Sequence, residues 1–331
     1  MKEKSIFCVY FDKGFLLKGL ALYDSLHRTT PGVELWVLAL DKYTEKILKK
    51  MRLPGMTVVP MADFEDKELL AVKSSRSVVE YYWTCSPSWP LYIFKKNPDV
   101  KYVIYLDADL YFFSSAMVGV DEIGKGSLLS IEHRFPKGLE GLAKRNGRFN
   151  LAFNVFKNDS EGLKCLKRWR KQCLDWCYWK PEEGKMGDQG YLDEWPKLYK
   201  NLVISKNLGL DAAPWNISQY KVSKKNGSVF INNDKLVCYH FHQFQILGPK
   251  SFNRVYGYTL PKNVVEFIYK SYEAEIAKQY RKIRNFDKTF EIRPPLVSTA
   301  KVFQQTIAKY IGPIYWRFTS LASNFKAWLS N

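Results

Sequence analysis

Asp107-Ala108-Asp109 is the pattern in this sequence with the most chemistry in it, because it directly follows the apolar run Lys101 to Leu106. Ligands in open α/β sheets bind outside the carboxyl ends of strands, so two carboxylates placed there face the expected crevice. Asp-x-Asp at such an end can hold a hard divalent cation whose remaining positions go to diphosphate oxygens and water. A solvated turn is the alternative for so short a pattern. Far downstream stands Tyr239-His240-Phe241-His242. In a strand His240 and His242 share one face, and neutral imidazoles joining two carboxylates suit Mn²⁺ or Mg²⁺. Hydrogen-bonded core histidines are the competing reading.

The composition sets the frame in which such a site must work. The chain has 331 residues, 46% of them hydrophobic, with 51 Lys+Arg against 33 Asp+Glu and a net charge of +18. A disordered polycation is excluded by the apolar content. The basic excess points to a polyanionic partner, whether nucleic acid, an anionic bilayer or a phosphorylated small molecule. The N-terminal apolar run is cut short at Asp12 and Lys13, so no signal peptide is expected, and no window reaches the ~18 apolar residues of a spanning helix. The six cysteines show no paired C-x-x-C spacing and read as buried free thiols.

The elements that must position these groups follow from periodicity. Ser5 to Tyr10, Glu34 to Leu40 and Met56 to Val59 read as strands. Helical patterns fall between them, giving a βαβαβ rhythm and a parallel sheet covered on both faces. A long helical stretch from about 63 to 96 is interrupted at Ser86-Pro87 and Trp89-Pro90. Further strands are expected at Lys101 to Leu106, Ser127 to Ile131, Phe149 to Phe156 and Leu236 to Phe241, with a helix over 160 to 178. The composition shifts beyond Gly257, which divides the chain into residues 1–257 and a basic helical extension, 258–331.

Five features in this order give the chain a family resemblance. They are Val9-Tyr10-Phe11-Asp12, the segment Arg76 to Thr84, the Asp107-Ala108-Asp109 box, Phe149-Asn150-Leu151-Ala152-Phe153-Asn154, and Gly187-Asp188-Gln189-Gly190. Over residues 5 to 250 the chain resembles nucleotide-sugar-dependent glycosyltransferases of the GT-A fold, the large family of bacterial lipopolysaccharide sugar transferases and glycogenin-like enzymes. The resemblance implies an α/β fold, a Rossmann-like mixed sheet flanked by helices with a C-terminal helical extension. It implies hexosyl transfer from a nucleotide-diphosphate donor, UDP-sugar favoured, with Mn²⁺ or Mg²⁺ as cofactor and a glycan or lipid-linked acceptor. Tyr10, Phe11 and Asp12 would line the base pocket, and Arg76 and Glu80 would lie near the nucleotide-sugar. Asp107 and Asp109, with Ala108 between them, would serve metal and diphosphate, and His240 the metal. Asn150 and Asn154 would contact the donor sugar, and Trp215 and Asn216 would belong to an acceptor-side loop. Asp188 and Gln189 would sit at the reaction centre, Asp188 as base if the reaction inverts or as a sugar ligand if it retains, the latter being favoured. From the residues alone, Asp188 reads equally as a helix N-cap, Asn150 and Asn154 as turn hydrogen-bonders, and Arg76 as a solvated face. Retaining members of the family often carry Gly and Lys three and six residues after the histidine; here Gln243 and Ile246 stand there.

Past Pro294-Pro295 two amphipathic stripes follow, Leu296-Ala300-Phe303-Ile307-Ile311 and Ile314-Phe318-Leu321-Phe325-Trp328. Lys301, Lys309, Arg317 and Lys326 accompany them, with no acidic residue. An acid-free aromatic and basic face suits an anionic leaflet, which places the protein in the cytoplasm on the inner face of a membrane. Packing onto the catalytic domain is the other outcome. A nucleic-acid-binding protein and a noncatalytic sugar-binding protein of the same fold are the rival functions, although no DNA or RNA motif is present and no nucleic-acid partner is expected.

Overall fold

The computed structural model describes residues 3–138, 140–180, 182 and 185–292. A seven-stranded sheet carries the fold, in the order β3-β2-β1-β4-β7-β6-β8. Its strands are β1 (Ser5–Phe11), β2 (Glu34–Ala39), β3 (Met56–Pro60), β4 (Tyr102–Leu106), β6 (Leu128–Glu132), β7 (Phe149–Lys157) and β8 (Leu202–Ile204), while β5 (Leu110–Phe112) lies outside it. Strands β3, β2, β1 and β4 are mutually parallel. The parallel order expected of the βαβαβ start holds across β1, β2 and β3, while β7 runs antiparallel to both β4 and β6. The sheet is therefore mixed, as the resemblance implied.

Chain order reverses between β1 and β4, since β2 and β3 extend to one side of β1 and β4 lies on the other. That reversal opens a crevice at the carboxyl ends of β1 and β4, and Asp12 and Asp107 follow those ends directly. All five residues of β4 are buried, which explains why it reads as an uninterrupted apolar run.

Helix starts follow local capping chemistry. Asp41 accepts from Thr44 N at 2.7 Å ahead of the helix Lys42–Met51, and Asp159 accepts from Gly162 N at 2.9 Å ahead of Ser160–Asp175. The long helical stretch expected over 63 to 96 is four short helices, Met61–Phe64, Lys67–Lys73, Val78–Cys85 and Ser88–Lys96. Ser77 and Glu80 form a reciprocal capping box that restarts the third. Trp89, Trp169, Trp195, Phe149 and Phe156 fill the core against one face of the sheet. All six cysteines are free and buried.

Small strands lie outside the main sheet. β9 (Val222–Lys225), β10 (Ser228–Ile231) and β11 (Asp234–Lys235) form a meander, and β12 (Cys238–His240) pairs antiparallel with β5. The charged helix Lys270–Phe286 groups with Met1–His242 in one compact unit. Its Lys278, Gln279 and Lys282 all reach Asp24, at 3.0, 2.7 and 3.3 Å. Gln243–Thr259 belong to a second unit, in which β13 (Gln245–Gly248) and β14 (Ser251–Asn253) make a hairpin. Among the described residues no helix is long and apolar enough to cross a membrane. The amphipathic stripes from Leu296 onward lie outside the described residues.

Candidate functional site

Three groups of atoms converge at the end of β4. Ligand atoms of Asp107, Asp109 and His240 all lie within 4.8 Å of one another. The chain achieves this by pairing β12 with β5, which immediately follows the Asp-x-Asp box, so that His240 stands opposite Leu110 and Phe241 N donates to Asp109 O at 2.9 Å. His240 Nε2 is 3.2 Å from Asp109 Oδ1, and its Nδ1 is 3.2 Å from Asp211 Oδ1. Lys18 Nζ, on the helix Leu16–Thr29, lies 3.7 Å from Asp109 Oδ2.

The electrostatics are those of charges short of water. Burial raises the Asp107 carboxyl to about 7; His240 opposes that rise, and Asp109, Asp188 and Asp211 add to it. Asp109 goes the other way: burial is outweighed by His240 and Lys18, which hold it well below the usual carboxylate range. Burial alone would strip the proton from His240, but Asp109 and Asp211 keep its pKa well above that of a free imidazole. Two carboxylates and an imidazole whose far nitrogen is held by a third carboxylate form a donor set that fits Mn²⁺ or Mg²⁺. His242 does not join the convergent set. Its ring lies edge-on to Trp215 at 5.3 Å, and burial and the neighbouring His240 push its pKa down to about 4.

Asp188 stands on a second arm of the crevice. It precedes the 3-10 helix Gln189–Glu194 but makes no side-chain capping bond to it, so the N-cap reading falls. Instead Ser86 Oγ donates to Asp188 Oδ2 at 2.5 Å, and Tyr10 Oη lies 2.9 Å from the same Ser86 oxygen. Trp169 Nε1 donates to the Asp188 carbonyl at 2.8 Å, tying the residue to the core. Burial raises the Asp188 carboxyl to about 6, against the Ser86 hydrogen bond that lowers it.

Several other expected site residues also make bonds within the fold. Phe11 is buried, its ring lying over Gly19, where a Cβ would stand 2.4 Å from Phe11 Cε1. Asp12 Oδ1 accepts from Gly14 N at 2.9 Å and Phe15 N at 3.3 Å, shaping the turn after β1. Gln189 Oε1 accepts from Leu151 N at 3.1 Å and its Nε2 donates to Asn146 O at 2.9 Å. Asn150 Oδ1 accepts from Ala152 N at 2.8 Å. Asn154 is wholly enclosed, donating to Leu151 O at 2.9 Å, and its Oδ1 has no hydrogen-bond partner. Ala108 is buried between the two carboxylates. Trp215 Nε1 and Asn216 Nδ2 both donate to His133 O, at 2.8 and 3.0 Å. Arg76 stacks its guanidinium 4.0 Å from the Tyr178 ring and donates to Leu174 O at 3.1 Å. Glu80 completes the capping box and accepts from Trp179 N at 2.9 Å.

Sequence reasoning missed Asp211, Ser86 and Lys18. Asp211 has φ +54 and 0% exposure, and its Oδ2 has no hydrogen-bond partner. The only sequence signal at Asp211 is an acid beside Gly209, and that glycine is required because a Cβ would meet Lys235 O at 2.1 Å.

No family model matches the chain. The uncharacterized protein YfnD of Bacillus subtilis is 31% identical over 269 residues, which is 80% of this chain and 86% of YfnD. The uncharacterized protein YfnF of the same organism is 28% identical over 294 residues, 86% of this chain and 96% of YfnF. Among solved structures, the apo bifunctional glycosyltransferase WbbM superposes with a TM-score of 0.50 at 13% identity, covering 85% of this chain and 52% of that one. The shared architecture is the GT-A fold, and by its likeness to YfnD the chain belongs to the YfnD family.

Proposed function

We propose that this protein is a metal-dependent glycosyltransferase that moves a hexosyl group from a nucleotide-diphosphate sugar, UDP-sugar favoured, to a glycan or glycolipid. The observation that carries this is the convergence of Asp107, Asp109 and His240 within 4.8 Å at the end of β4. The fold shared with the bifunctional glycosyltransferase WbbM supports it.

Asp107, Asp109 and His240 would hold Mn²⁺ or Mg²⁺, which when bound supplies positive charge against the departing diphosphate. In the transfer the anomeric C–O bond breaks with its electron pair leaving on the diphosphate. The acceptor hydroxyl bonds to the anomeric carbon, and its proton passes to a base. The protein's own share is to orient the donor and keep water out. Lys18 adds a second cation beside Asp109, and Tyr10 and Ser86 fix the Asp188 carboxylate by a chain of hydroxyls. In the retaining course Asp188 binds a donor-sugar hydroxyl, with Gln189 beneath the anomeric carbon. An inverting course with Asp188 as base is favoured by one feature, a carboxyl raised to about 6, which suits proton uptake near neutral pH. On this reading the protein works on the cytoplasmic face of a membrane, where a lipid-linked acceptor would be held.

The test is hydrolysis of UDP-, GDP- and TDP-sugars with Mn²⁺, read as released nucleotide. Turnover by the unmodified protein, abolished by Asp109→Ala and by EDTA, is the expected result. Full turnover in Asp109→Ala would show that the cluster is not the metal site.

A further inference from the structure

We propose that the stacked pair Trp83 and Trp179 is a platform for a pyranose ring of the acceptor, an inference that rests on the glycosyl-transfer reading. The two indoles lie parallel, with centroids 4.9 Å apart and planes inclined by 17°. Trp179 is nevertheless 61% exposed. An exposed indole stacked on a second one leaves a large apolar face in water, with a polar N–H at its edge.

This one is rigid. Glu80 Oε1 accepts from Trp179 N at 2.9 Å, and the Glu80 carboxylate is itself held by Ser77 N at 2.8 Å and Ser77 Oγ at 2.7 Å. The loop that carries Trp179 is closed at its base by Gly187 N donating to Tyr178 O at 3.0 Å. Gly187 has φ +54, and a Cβ there would stand 3.0 Å from Trp83 Cε3. The absent side chain lets the loop base sit against the indole. The residue after Gly187 is Asp188, and the helix that bears Trp83 ends at Ser86, which donates to the Asp188 carboxylate at 2.5 Å. The platform is thus joined through both of its supporting segments to the side chain proposed for the reaction centre.

The chemistry of the patch selects its occupant. A pyranose presents a face of C–H groups with partial positive charge, which complements the negative face of an indole, while its hydroxyls need polar partners around the edge. Exposed Lys180, the next residue in the chain after Trp179, offers one such polar group. One indole face is the size of a sugar ring and far below the roughly 800 Å² per partner that a stable protein interface needs.

The experiment labels the indoles with ¹⁵N in the full chain and titrates chitotriose, cellotriose and maltotriose separately, with anionic phosphatidylglycerol vesicles as a further arm. The expected result is that at least one trisaccharide shifts the Trp83 and Trp179 Nε1 resonances. Trp179→Ala should weaken that binding at least tenfold, with an unchanged melting temperature, while Trp179→Phe retains part of it. The platform is overturned if no trisaccharide shifts either resonance, if Trp179→Ala binds as well as the unmodified protein, or if only vesicles shift them. UDP-, GDP- and TDP-sugar hydrolysis by the unmodified protein is measured alongside. Sugar binding without any hydrolysis would sink the glycosyl-transfer reading and the acceptor role with it; hydrolysis with binding indifferent to Trp179 would sink the platform alone.

Discussion

His240 Nδ1 lies 3.2 Å from Asp211 Oδ1, and this contact fixes the imidazole so that Nε2 faces Asp109. A carboxylate behind a ligating histidine sets its tautomer and raises its basicity, and its loss typically weakens metal affinity about 10- to 100-fold. Asp211→Asn is therefore expected to weaken Mn²⁺ binding by that factor. Asparagine tolerates the left-handed backbone at φ +54, so the fold should persist. Calorimetric titration of Mn²⁺ into the folded variant checks it, and an unchanged affinity would place the metal elsewhere.

Protons and the metal compete for the same atoms. Asp107, pushed up to about 7 chiefly by burial, and His240, held well above the ordinary imidazole value by Asp109 and Asp211 against burial, both carry protons that a cation must displace. Raised pKa values mean that the protonated, metal-excluding form persists up to neutral pH. Apparent Mn²⁺ affinity should therefore rise steeply from pH 6 to pH 8, with proton release visible as a dependence of the binding heat on buffer ionisation enthalpy. Flat affinity over that range would mean that neither group ligates.

The Asp-x-Asp box was legible because β4 is buried on both faces and ends at once in two acids, a contrast any hydropathy reading detects. His240 was legible as one of a pair, yet its separation from His242 was not. That separation depends on β12 pairing with β5, a contact between residues 126 to 130 positions apart along the chain whose register no local pattern encodes. Asp211 was invisible for a similar reason. Its role comes from a left-handed backbone turn beside Gly209, not from any spacing to the Asp-x-Asp box. Asn150 and Asn154 were legible only as polar residues in an apolar strand, because amides that bond backbone groups look, in sequence, like amides that bind sugars, and the structure gives both of them backbone partners. The antiparallel direction of β7 was equally hidden, since a fully buried strand reads the same either way.

Asp188 gives a prediction whose sign can be worked out. Its folded pKa of about 6 lies above the ordinary value of 3.8, so the fold favours the protonated carboxyl and resists the ionised one. The stabilising contribution is fully present below pH 3.8 and is lost as pH rises through 6. Above that, the ionised carboxylate costs on the order of 3 kcal/mol relative to a neutral group. Asp188→Asn keeps an acceptor for Ser86 Oγ and removes the charge. It should therefore be more stable than the unmodified protein at pH 8, by about 3 kcal/mol, and the gap should close toward pH 4. Denaturant unfolding in EDTA at the two pH values measures this without metal. The same variant should lose sugar transfer, since a neutral amide can neither accept the acceptor's proton nor bind a donor hydroxyl as a carboxylate does. A gap that stayed constant from pH 4 to pH 8 would show that Asp188 does not titrate in the fold, and a stable variant with full transfer would remove it from the reaction centre.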